Sequence, residues 1–414
     1  MEPRLVFDVE SLETRQLLAG NVAMSINGAG DLRLNGDSQD NHVEISMAVV
    51  NGEFVGEVRG LAGTTIQFNG QQATTHQFEL AESQFGTPAS VRDVRVSLGG
   101  GDDNLRIVPW LGAVSRGFNV GRDLRVNLGT GADTFEYRGA GGTEINIDGL
   151  PVFLADTYVV GDARIAGQSG NDTLEFNQLT AFGSLDVLSG AADGARAFDA
   201  SDLIEINDGA GLAGASIVGG ARATEIKIDG LGTDEGDLVI RGGGGHDDLL
   251  LDRLVSGGDT RLDLGSGVAL REILVLGNSR LNSDLDITGG GGSQRVIFST
   301  DGIGLEVDGA TDLRLGGNND EVVMSGDGLK FFTGDVSLNL GGGNDILSIM
   351  ASTFMFGDLA VSLGAGSDDV AISGAPLVSG DLFVQGGAGF DEVENRIALF
   401  AGGTSEWVSI NDVP

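Results

Sequence analysis

The chain contains no cysteine. Disulfides, thiolate metal sites and cysteine nucleophiles are therefore excluded, while the compartment is left open. Proline is scarce, at 6 of 414 residues, and no Gly-X-Y period runs through the sequence, so a collagen-type triple helix is excluded too. Tryptophan occurs only as Trp110 and Trp407, which leaves little for sugar stacking. Lysine occurs only as Lys227 and Lys330. No apolar run reaches the ~18 residues needed to cross a bilayer as a helix, so no membrane span is expected. The three histidines, His42, His76 and His246, form no pair at metal-ligand spacing. Neither a Gly-x-Ser-x-Gly elbow nor a phosphate-binding loop is present. No catalytic residue is assigned, and the chain is expected not to be an enzyme.

What the chain has in excess is glycine, acid and short alternating apolar runs. Glycine numbers 70, well above the usual ~7%. Hydrophobic residues make up 41%, too many for a disordered chain, and they alternate with polar residues as strands do. The formal net charge is −37, a surface that repels nucleic acid and attracts cations. The same acidity also serves a plainer purpose, keeping a sheet-rich protein soluble.

A repeat organises these residues. Asp335-Val-Ser-Leu-Asn-Leu-Gly-Gly-Gly-Asn-Asp345, Asp358-Leu-Ala-Val-Ser-Leu-Gly-Ala-Gly-Ser-Asp368 and Asp381-Leu-Phe-Val-Gln-Gly-Gly-Ala-Gly-Phe-Asp391 follow one another. In each, an alternating strand runs into a glycine corner closed by Asp, and a second strand follows. Phe331, Phe354 and Leu377 mark a third short strand. Three strands and three corners in about 23 residues make one turn of a parallel β-helix. Traced backwards, the corner falls at Asp103, Asp133, Asp172, Asp202, Thr224, Asp247, Arg271, Gln294 and Asp320. Longer steps around Asp133, Asp172 and Asp202 imply insertions, at about 138–160 and 190–201. The fold expected is all-β: a β-solenoid of about 12 rungs and roughly 55–60 Å. Residues 1–20 read as a leader-like segment, 21–92 as an irregular β cap, and 93–414 as the solenoid with a C-terminal cap around Trp407.

Two resemblances bear on function. Leu12-Glu13-Thr14-Arg15-Gln16-Leu17-Leu18-Ala19-Gly20 resembles a short leader of large surface and secreted proteins of planctomycete-type bacteria, which implies export to the cell surface or beyond. The usual upstream basic stretch is missing. Leu98-Gly-Gly-Gly-Asp-Asp103, Leu340-Gly-Gly-Gly-Asn-Asp345 and Leu363-Gly-Ala-Gly-Ser-Asp368 resemble the haemolysin-type (RTX) calcium-binding repeat. That family binds calcium between stacked corners through Asp carboxylates and glycine carbonyls. The resemblance implies calcium as the ion, with Asp103, Asp133, Asp172, Asp247, Asp320, Asp345, Asp368 and Asp391 as ligands. The family repeats every nine residues with two such corners per turn, whereas this chain has one per rung of about 23. Apart from the resemblance, carboxylates stacked one rung apart repel, and a hard divalent cation would turn that repulsion into binding. The plainer alternative is that Asp and Gly are ordinary turn residues facing water. A second acidic stripe is expected at Asp162, Asp237, Asp259, Asp335, Asp358 and Asp381.

These features favour an extracellular or cell-surface structural or adhesive solenoid. Its expected partners are calcium ions and a surface polysaccharide or protein, not nucleic acid. The alternative is a β-helix polysaccharide lyase or hydrolase, for which Asp247-Asp248 and Asp368-Asp369 would supply carboxylate pairs.

Overall fold

The computed structural model describes residues 19–410, apart from 52, 81–90, 110–117, 140–141, 148–149, 156, 191–201, 222, 266–271, 303, 351, 374–375 and 395–399. The leader-like segment lies outside the described residues except for Ala19 and Gly20. Trp110 and the insertion at 190–201, Gly190 apart, also lie outside them. No helix occurs among the described residues.

The chain winds as a parallel β-solenoid with three walls. The first wall is a 17-stranded sheet. In it Leu32–Asn35, Val94–Gly100, Leu124–Thr130 and Ala163–Ser169 lie parallel and in register. The stack continues to Val336–Asn339, Leu359–Gly366, Leu382–Gly389 and Ser405–Val408. The second wall stacks Asn104–Ile107, Thr134–Arg138 and Thr173–Asn177, and ends in Ile346–Ile349, Asp369–Ile372 and Glu392–Glu394. The third wall carries the short strands, such as Lys330–Phe332, Thr353–Met355 and Leu377–Val378.

Alternation places the core. In Val336–Asn339 the valine and leucine are buried and the polar residues exposed. Residues in register repeat that choice from rung to rung, so Leu98, Leu128, Leu340 and Leu363 are all buried in one hydrophobic core, with glycine or serine at their position in some rungs, such as Gly167 and Ser189. Because the side-chain period is 2, a slip of one residue would turn every such row outwards. The register is therefore held by the whole core at once.

At its N-terminal end the stack is closed by antiparallel pairs. Asn21–Ile26 pairs with Leu32–Asn35, and Glu53–Gly60 lies between His42–Val50 and Thr75–Glu79. Parallel stacking already begins in this region, because His42–Val50 also pairs with Asn104–Ile107. The insertion after Arg138 contains an antiparallel hairpin, Gly142–Ile147 with Leu150–Ala155. At the other end Trp407 packs partly buried against the core. One corner slot differs from the expected alignment: Asp248 is in register with Ile273, and Glu272 with Gln294, so the slot is Glu272 rather than Arg271. Gly265-Ser-Gly267 is present before that slot, but no Asp follows it at the usual spacing.

Candidate functional site: the corner carboxyls

In many rungs the first strand ends in a corner made by glycine at positive φ, although Gln168 takes the same position at φ 87° beside Gly129. Gly341, Gly364 and Gly387 have φ of 96°, 106° and 105°. A Cβ on Gly364 would sit 1.7 Å from the carbonyl oxygen of Gly341 in the preceding rung. Positive φ and close backbone approach thus exclude side chains at one position in successive rungs.

The corner Asp that follows turns into the molecule. Asp103, Asp133, Asp172, Asp247, Asp320, Asp345, Asp368 and Asp391 are each 2% exposed or less. The water-facing turn expected as the plainer alternative is overturned by this burial. Each carboxyl has a fixed task, because its Oδ1 accepts the backbone N–H of the same corner one rung earlier. Asp103 N–H donates to Asp133 at 2.8 Å, Asp133 to Asp172 at 3.1 Å, and Asp172 to Asp202 at 3.0 Å. Asp320 donates to Asp345, and Asp345 to Asp368, both at 2.8 Å, and Asp368 to Asp391 at 3.3 Å. Where the acid is replaced the amide still donates, Asn41 to Asp103, Thr224 to Asp247 and Gln294 to Asp320, but the carboxyl acceptor is lost, and at Thr224 the Asp202 amide turns to the Ala223 carbonyl instead. A corner has no strand partner for this amide, so the carboxyl supplies the acceptor that a buried N–H requires.

Burial without a counter-charge raises the carboxyl pKa. Desolvation pushes Asp103, Asp247 and Asp320 up to about 7, and Asp133 and Asp345 up to about 6. The accepted N–H bonds oppose the rise. The next carboxyl adds to it for Asp103, Asp320 and Asp345, and exposed Asp102 does so for Asp133. Asp368 rises as well, by desolvation first and then through its contact with Asp391.

Two outer ladders run the other way. Immediately before the buried Asp, an outward Asp or Asn accepts the N–H of the following rung. Asp40 accepts from Asp102, Asp102 from Ala132, Asn319 from Asn344, and Asn344 from Ser367, at 2.8 to 2.9 Å. The expected acidic stripe at the strand starts does the same. Asp335 accepts from Asp358, Asp358 from Asp381, and Asp381 from Thr404, at 2.7 to 2.9 Å. Asp237 accepts from Asp259, and Asp162 from Ser184. Asp93, Asp123 and Asp284 belong to this stripe too and were not anticipated. Their signal was available, since each directly precedes the first apolar residue of a strand.

For calcium, the corners offer part of a shell. The Oδ2 atoms of Asp103, Asp133, Asp320 and Asp345 lack a hydrogen-bond partner. Calcium takes six to eight oxygens. The nearby glycine carbonyls are already engaged, Gly316 by the Gly342 N–H and Gly341 by the Ala365 N–H, each at 3.1 Å. Among the described residues no three His, Cys, Asp or Glu side chains converge.

The two carboxylate pairs that an enzyme would use are split by strand alternation. Asp247 and Asp368 point inwards, Asp248 and Asp369 outwards. A shallow groove of about 500 Å³ on the second wall is lined by Glu205, Lys227, Asp229, Leu250, Asp252 and Asp301 among others. Its acids are held in place: Arg253 pairs with Asp229 at 2.5 Å, and the Asn278 amide bonds Asp252 and Asp301. His246 lies 3.7 Å from Asp248, half exposed. Sequence reasoning also passed over Lys330, which is fully buried. Its Nζ donates to Thr300 Oγ1 and Gly328 O at 3.2 Å, and desolvation pushes its pKa down.

Comparison of the chain with protein-family models, curated proteins and solved structures finds no match. No helix among the described residues is long and apolar enough to cross a membrane.

Proposed function

We propose that this chain is an extracellular or cell-surface structural scaffold, a stiff rod that spaces or displays what it is joined to. One observation carries the reading: a single in-register stack runs from Leu32–Asn35 to Ser405–Val408, with its corner carboxyls used to join rung to rung. Atoms committed to the same backbone amide in successive rungs serve shape, whereas a reaction centre departs locally from its repeat. The leader resemblance supports display outside the cell. An impermeant amine- or carboxyl-labelling reagent applied to intact cells should modify the protein; labelling only after lysis would overturn the surface reading.

Calcium is the proposed ion, on the strength of the corner resemblance and the unpartnered Oδ2 atoms of Asp103, Asp133, Asp320 and Asp345. Bound there, it would neutralise carboxylates that burial otherwise drives toward their protonated form. Calorimetric titration, with melting curves in calcium and in chelator, tests this directly. Saturable heat and a raised melting temperature, both weakened in Asp345→Asn and Asp368→Asn, are expected. No heat and no shift would remove calcium and leave the carboxyl–amide ladder as the complete corner.

The polysaccharide lyase or hydrolase reading is favoured by the groove around Asp229, Asp252 and Asp301. The scaffold reading is preferred because those carboxylates are occupied by Arg253 and Asn278. Release of reducing or unsaturated ends from polysaccharide, abolished in Asp252→Asn, would reverse that preference.

A further inference from the structure

On the outer face of the first wall, four arginines stand in one register. Arg33 lies beside Arg95, Arg95 beside Arg125, and Arg125 beside Arg164. Like charges directly opposite on neighbouring strands destabilise a sheet. In a chain with 61 acidic and 24 basic residues, stacked acids follow from composition, but a stack of four arginines does not. The second wall shows the ordinary solution, where Arg106 sits between Glu44 and Glu136 and bonds both, at 3.3 and 2.8 Å.

The local acids only partly neutralise this strip. Arg125 pairs with Asp123 at 3.1 Å, and Arg95 reaches Asp93 at 3.9 Å. Arg33 and Arg164 are exposed and have no ion pair among the described residues. Three of the four, Arg95, Arg125 and Arg164, floor a groove of about 600 Å³ whose lining adds Asn127, Gln168, Asp162 and Asp186. Guanidiniums one rung apart are spaced by roughly 4.8 Å, so the four span roughly 14 Å along the rod.

We propose that this groove binds an acidic polysaccharide lying along the solenoid axis. A sugar residue is about as long as a rung is high, so successive carboxylates or sulfates can meet successive arginines, which hold oxyanions through planar, paired donors. The amide and carboxylate groups beside them suit sugar hydroxyls. Among the described residues no aromatic side chain lines the groove, and single-stranded nucleic acid would need one to stack its bases. The inference rests on the scaffold reading only for where such a polymer would be met.

Polygalacturonate, dextran sulfate, neutral dextran and single-stranded DNA are titrated into the full chain by calorimetry at low salt. An acidic polysaccharide should bind and neutral dextran should not. The double variant Arg95→Ala/Arg125→Ala should bind at least tenfold more weakly, with a melting temperature unchanged or raised, because a repulsion has been removed. Arg261→Ala, which deletes an arginine ion-paired to Asp237 and Asp259 on the same wall, should bind like the parent. If the double variant melts early, Arg33→Ala/Arg164→Ala is read in its place. Absence of acidic-polysaccharide binding, binding unaffected by either double variant, or equally tight DNA binding through the same arginines would overturn the proposal. Each of these outcomes leaves the surface-labelling result unchanged, so the groove can fail while the scaffold stands.

Discussion

Asp345 shows what one corner residue does. Its Oδ1 holds the Asp320 amide, its own amide is held by Asp368, and its Oδ2 is without a partner. Asp345→Ala leaves a buried N–H unsatisfied and should cost about 1–3 kcal/mol in denaturant unfolding. Asp345→Asn keeps an acceptor oxygen and discards the buried charge, so in the absence of calcium at pH 8 it should be neutral or stabilising. Equal losses in both variants would refute the capping role. The pH dependence follows in sign. The corner carboxyls are raised from the ordinary value near 3.8 to about 6 and about 7, so the folded state binds protons more tightly than the unfolded chain. Their stabilisation is full below about pH 4 and is lost as pH rises through about 7. Melting temperature without calcium should therefore be higher at pH 5 than at pH 8, and Asp320→Asn/Asp345→Asn should flatten the difference. A melting temperature that rises from pH 5 to pH 8 would contradict the assigned burial. None of this was legible from residue type: Gly-x-Gly-x-Asp names a corner, but whether its carboxyl faces water, an ion or an amide depends on one strand bond's alternation beyond a glycine whose φ the sequence does not state.

At the scale of the element, the strand-to-strand repeat was readable because three constraints coincide in each rung. Val336, Leu338 and Leu340 alternate inward, glycines turn the chain, and an Asp follows at fixed spacing. Where one constraint lapses, the reading slips. The slot placed at Arg271 is Glu272 because no Gly-x-Gly-x-Asp phrase marks it. The inward face of the third wall was harder still, since its strands are two or three residues long and Lys330 occupies a buried position between apolar neighbours. Another feature lies beyond sequence pattern. The bend between second and third walls is made by Gln178, Asp208, Gly230 and Arg253, all at positive φ, only one of them glycine. At the first corner glycine prevails in the C-terminal rungs, with Gln168 the non-glycine counterpart of Gly129. Gly364→Ala should destabilise by at least about 1–2 kcal/mol from backbone conformation alone, and by more through its clash with Gly341. The same change at Gly232, where an added Cβ meets nothing, should be close to silent. Paired chemical denaturation curves read the difference.

For the molecule as a whole, each rung touches only its neighbours, so stability is close to a sum of rung and interface contributions. Native-state hydrogen exchange should then be graded along the axis. Amides in the middle rungs, such as Ile226 and Leu249, should exchange slowest, and those of Ser405–Val408 at the edge fastest. Uniform protection from end to end would instead indicate one global unit. The opposed direction of the ladders adds something to this. On the inner side an amide waits for the carboxyl of the rung that comes after it in the chain, while on the outer side a carboxyl waits for the next rung's amide. A partly synthesised chain therefore always presents, at its growing edge, one donor and one acceptor that only the next turn can satisfy. Translation delivers that turn next, so the rod can be assembled like a zip closed from one end, each tooth shaped to receive its successor.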